Sequence, residues 1–151
     1  MEELISTINE IVKYGLNPNI NEVNKERLLE KHLVKVYNIY FEISNENDST
    51  DYPDFDKSLF PNIRQNIKRN FPNFGFYKTV IDIYDFTNII EYGTGDAIDD
   101  LNDIIYDLLE VKWRIEHNSL KDGLWYFEFI FHNHTKQHIL DLLNFILQLE
   151  K

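Results

Sequence analysis

Apolar residues repeat at helical spacing through the last third of the chain, which restricts it to folds that bury long helices. Leu120, Leu124, Phe127, Phe131, His138, Leu142, Phe145 and Leu149 keep one helical phase. Much of the other side is apolar as well, through Trp125, Phe129, Ile139, Leu143 and Ile146. A helix apolar on both sides belongs in the middle of a bundle. The phase predicts one long helix or two nearly collinear ones. Aromatic residues favour strands, so a strand over Trp125 to Phe131 is the competing reading. Helix is preferred because the phase carries through.

Just before it, the segment from Asp96 to Glu116 predicts an amphipathic helix. Ala97, Leu101, Ile104, Ile105, Leu108, Val111 and Ile115 form its apolar face. Asp96, Asp99, Asp100, Asp103, Asp107 and Glu110 fall within a sector of about 100° on the other side. No Lys or Arg occurs between Lys78 and Lys112. The wet face is thus expected to be uniformly negative. Like charges one turn apart repel by a few tenths of a kcal/mol per pair. The early Asp residues recover some of that at the helix N-terminus. Asn118 or Ser119 separates this helix from the last segment.

The rest of the chain breaks into shorter elements. Leu4, Ile5, Ile8, Ile11 and Val12 predict a helix from Glu2 to Tyr14, stopped by Gly15. Asn21 or Asn24 caps a second helix, whose buried face runs through Leu29, Leu33, Val36, Tyr40 and Ile43. Ser44 to Asp56 reads as an acidic loop. Asn45, Asn47 and Ser49 hint at a calcium loop, but Thr50 stands where Gly is needed and the terminal Glu is missing. A third helix starts at Pro61 and ends near Asn70. Its Arg64, Lys68 and Arg69 either pair with acids in the fold or face water. A short strand or an extended linker is expected near 78–84, a short helix from Asp85 to Tyr92, and an inter-helix turn at Gly93-Thr94-Gly95. That turn lacks the rest of a phosphate-binding signature. The whole predicts an all-α single domain over 1–151, a bundle of about five to seven helices with a long C-terminal helix.

Net charge narrows the partners. The 151-residue chain carries a formal charge of -11. Binding to nucleic acid rests on Lys and Arg neutralising phosphates, so direct nucleic-acid binding is disfavoured. A basic protein or a cation is the natural counterpart. With no Cys, disulfides and thiolate metal sites are excluded. No apolar run approaches the ~20 residues that span a bilayer, and Met1-Glu2-Glu3-Leu4 does not look like a signal peptide. A cytoplasmic location without membrane contact is therefore expected.

The sharpest chemical constellation is His134-x-x-x-His138-x-x-Asp141. Residues at i, i+4 and i+7 share one helix face, so three metal ligands can converge there. Asp99 or Asp103 of the acidic stripe can complete a His/carboxylate centre. The competing reading makes the histidines structural, with His138 packed in an apolar stripe and Asp141 orienting a ring. The metalloprotease form HExxH is absent because Thr135 follows His134. The Glu-x-x-His pair of di-iron bundles is absent too, since Glu128 precedes His132 by four. No glycine-flanked serine elbow occurs.

Several motifs together resemble an uncharacterised bacterial family, domain of unknown function 5063. They are Asp51-Tyr52-Pro53-Asp54, Asn70-Phe71-Pro72, Gly95 to Leu101, Asp107 to Arg114, Trp125-Tyr126-Phe127, and His134 through His138 to Asp141-Leu142-Leu143. The resemblance covers most of the chain after the second helix. It implies that Gly95 through Trp113 and the His134/His138 pair belong to a shared pattern, and it carries no assigned activity. The leading functional expectation is a non-enzymatic acidic interaction module without a cofactor. In one version it is an immunity or antitoxin-type protein whose Asp96, Asp99, Asp100, Asp103, Asp107 and Glu110 dock a basic partner. The alternative is a metal-dependent, hydrolase-like enzyme using a divalent ion at His134, His138 and Asp141.

Overall fold

The computed structural model describes every residue except Asn45, Asn47 and Asn88. The two asparagines of the suggested calcium loop therefore lie outside the described residues. The chain is mostly helical, at 64%, with one small two-stranded sheet. In order come α1 (Glu2–Leu16), α2 (Lys25–Glu42), a 3-10 turn (Lys57–Leu59), α3 (Ile63–Asn70), β1 (Phe76–Val80), β2 (Tyr92–Asp96), α4 (Ala97–His117), α5 (Leu120–Ile130) and α6 (Lys136–Leu149). A π-turn at Phe131–Thr135 joins α5 to α6. Among the described residues, no helix is long and apolar enough to cross a membrane.

Helix α4 is the centre. Ala97, Leu101, Ile104, Ile105, Leu108 and Val111 are fully or almost fully buried. The helix packs against α1 and α3 on one side and against α5 and α6 on the other. Asp96 caps its start by accepting from the N–H of Ile98, and Ser119 caps α5 by accepting from that of Asp122. With so short a connection, the α5–α6 rod returns antiparallel along α4.

The rod is helical throughout, which decides against a strand at Trp125 to Phe131. From Phe127 onward its buried residues are Phe127, Phe131, Thr135, Ile139, Leu142 and Ile146. The first three steps are four residues each. On a regular helix they would drift about 120° around the axis. The π-turn absorbs that drift and keeps Phe127, Phe131, Thr135 and Ile139 on one face.

The structure corrects several expectations. Helix α1 runs past Gly15 to Leu16. Gly15 is a packing residue, since a Cβ there would lie 2.9 Å from Ile63 Cγ2 and 3.1 Å from Ile105. Asn24 occupies the N-cap position of α2 but makes no side-chain capping bond. Helix α3 starts at Ile63, two residues after Pro61. No helix forms among the described residues of 85–92, and Gly93-Thr94-Gly95 is strand rather than turn. It pairs antiparallel with β1, placing Tyr77 opposite Gly95 and Thr79 opposite Gly93.

Gly123 sits where α5 crosses the end of α4. A Cβ there would fall 2.2 Å from Ile115 Cγ1 and 2.9 Å from the Ile115 backbone nitrogen. Backbone cannot yield as a flexible side chain can. Gly123→Ala should therefore cost about 1–3 kcal/mol of stability, read as a lower urea midpoint with an unchanged slope.

Candidate metal centre between the long helices

The acidic stripe of α4 is not a single wet face. Counting from Asp96 at about 100° per residue, Asp107 and Asp100 lie about 20° and 40° round toward the apolar side. Both are buried. Asp100 is 6% exposed and Asp107 5% exposed, whereas Asp99 lies out in solvent. The two inner carboxylates reach the α5–α6 rod.

Each holds one histidine. Asp107 Oδ2 lies 2.8 Å from His134 Nδ1 and accepts from the Thr135 hydroxyl at 2.7 Å. Asp100 Oδ1 lies 2.8 Å from His138 Nδ1. Its other oxygen accepts from the Tyr77 hydroxyl at 2.5 Å. An ionised carboxylate only accepts, so both imidazoles present Nδ1–H to it. Their Nε2 atoms then face each other, 3.2 Å apart.

The Asp103 carboxylate completes the group from the next position along α4. Its Oδ2 is 3.6 Å from His138 Nε2. Ligand atoms of Asp103, His134 and His138 all lie within 4.8 Å of one another. The mouth is open, with the His134 side chain 43% exposed and Asp103 34%.

Asp141 does not join them. It accepts two bonds from Gln137 at 3.1 Å, on the exposed side of α6. The expected i, i+4, i+7 set is thus replaced by an i, i+4 pair plus a carboxylate from the neighbouring helix. Helix α6 alone cannot surround an ion, whereas two packed helices can.

The remaining stripe residues are engaged elsewhere. Arg64 of α3 binds Asp96 at 2.9 Å and also binds Asp99. The basic patch therefore pairs within the fold through Arg64. Glu110 binds Arg114 at 2.8 Å, and Arg114 also reaches Asp122. The Arg114 guanidinium lies 4.4 Å from the centre of the Tyr126 ring.

Two site residues gave little sign of themselves. Thr135 and Tyr77 carry no motif, and their roles depend on a π-turn and a hairpin. The inward turn of Asp100 and Asp107 had a signal, because both border the apolar sector. Burial pushes the Asp107 carboxyl up, against the pull of His134 and Thr135. His138 is raised above the ordinary imidazole range, first by its hydrogen bond to Asp100 and further by the Asp103 and Asp107 charges.

A group whose pKa rises on folding stabilises the fold below its unfolded value, about 6.5 for His. The contribution fades as pH climbs through the folded value. In chelator, stability should therefore fall as pH rises above about 6.5. His138→Asn should flatten that slope in a urea series across pH.

No family model, curated protein or solved structure matches the chain.

Proposed function

We propose that this protein binds one divalent transition-metal ion through His134 Nε2, His138 Nε2 and the Asp103 carboxylate, and that the ion activates water for hydrolysis. One observation carries this. Two imidazole nitrogens meet at 3.2 Å while the opposite nitrogen of each ring is held by a buried carboxylate. Two neutral rings in that state would point lone pairs at each other. A cation between them removes the conflict, either a proton or a metal ion.

The spacing suits a metal. Ligand nitrogens at ~2.0–2.1 Å from a tetrahedral zinc-type ion are about 3.4 Å apart. Carboxylates on the far ring nitrogens fix the tautomer and raise ligand basicity, as outer partners of metal-bound histidines do. Two imidazoles and one carboxylate favour zinc, iron or manganese over calcium and magnesium, which take oxygen ligands. Three protein ligands beside an open mouth leave room for a bound water, whose pKa such an ion lowers toward neutrality.

An acidic docking face for a basic immunity-type partner draws less support. Asp100 and Asp107 are buried, and Asp96, Asp99 and Glu110 already hold arginines. We also propose membership of the uncharacterised family on motif order. The stretches that carry that resemblance contain Gly95, Asp100, Asp107, His134 and His138.

Protein purified without a histidine tag should take up one Zn2+ or Co2+ per chain. His138→Ala and Asp103→Ala should each weaken binding by at least the roughly 10–100-fold that outer partners contribute. Asp141→Asn should leave affinity unchanged. Substoichiometric metal, unaffected by His138→Ala, would sink the proposal.

A further inference from the structure

Among the described residues, Tyr77 ties the β-hairpin to the candidate metal centre. Tyr77 lies on β1, half-buried, and its hydroxyl donates to Asp100 Oδ2 at 2.5 Å. The other oxygen of Asp100 holds the His138 ring at Nδ1. A continuous chain of hydrogen bonds thus runs from the hairpin through Asp100 to His138 Nδ1, the ring nitrogen opposite the proposed ligand nitrogen Nε2.

Gly95 makes that chain sterically feasible. It is the register partner of Tyr77 on β2. The phenol ring lies across the space a side chain would fill. A Cβ on Gly95 would come 2.1 Å from Tyr77 Cζ and 2.5 Å from its hydroxyl oxygen. Such a contact must be relieved, and the ring tip is the part free to move. Any residue larger than glycine at position 95 therefore drives the hydroxyl off Asp100.

We infer that Tyr77 is a positioning residue of the metal centre and that Gly95 is glycine to let it act; this rests on the metal proposal above. Tyr77 sets the plane of the Asp100 carboxylate. That plane aims Oδ1 at His138 Nδ1, and the ring so oriented points Nε2 at the ion. The second histidine has a counterpart in the Thr135 hydroxyl, which holds Asp107 at 2.7 Å. Each ligand ring thus has a buried carboxylate behind it and a hydroxyl behind the carboxylate. One hydroxyl comes from the rod itself and the other from the hairpin.

The test is a Co2+ titration followed by the ligand-field spectrum of the bound ion. Tyr77→Phe removes the donor; Gly95→Ala keeps the hydroxyl but displaces it. Each should weaken Co2+ binding on the order of ten-fold and alter the spectrum. The double variant should be no weaker than either single one, because both break one interaction. Tyr106→Phe is the control. It removes a comparable hydroxyl bond, to the Phe60 carbonyl at 2.6 Å, and should leave the spectrum unchanged. Melting in chelator shows which variants fold, and Gly95→Ala suffices if Tyr77→Phe does not. Unchanged affinity in folded Gly95→Ala, with wild type binding Co2+, overturns this inference while the metal centre stands. A wild type that binds no Co2+ overturns both.

Discussion

Two carboxylates in the interior govern this structure. Moving a charged carboxylate out of water costs several kcal/mol unless charge or hydrogen bonds replace the water. Asp100 and Asp107 lie between α4 and the α5–α6 rod, and each meets an imidazole and a hydroxyl there. The register of the rod along α4 is tied to those contacts. Sliding it by one turn would leave two buried carboxylates unpaired, a penalty far above the few tenths of a kcal/mol of like-charge repulsion along the stripe.

The same contacts create the chemical potential of the site. A histidine alone on a helix can turn its ring and exchange its tautomer. Here both rings are held through Nδ1, so both are forced to present Nε2 to the same small space beside Asp103. Preorganisation of this kind lowers the cost of gathering ligands around an ion. The π-turn contributes as well. It lets Thr135 face α4 together with Phe131 and Ile139, one residue after His134. π-bulges often mark functional positions in helices for this reason.

Much of the architecture was legible in the periodicity. Both long helices, their apolar faces and the helical state of the aromatic run at 125–131 followed from spacing alone. The hairpin did not. Gly93-Thr94-Gly95 has turn composition, and local rules cannot weigh a strand partner some fifteen residues back. The site was half legible. His134 and His138 share a face whatever they pack against. Asp141 fitted the same helical rule, yet it bonds Gln137 on its own helix, and the carboxylate beside the two rings, Asp103, comes from α4.

What the sequence by itself determined is local. It set where helices form, which faces are apolar, and that five acids of α4 share one sector with Asp96 at its N-cap. Helical geometry requires no neighbours for any of this. The tertiary structure decided which acids are paired and with whom. Asp96 and Asp99 go to Arg64 of α3, Asp100 and Asp107 to the histidines, and Glu110 to Arg114. An acid's role depends on what lies within about 3 Å of it, and that distance is set by how helices pack, not by their order along the chain.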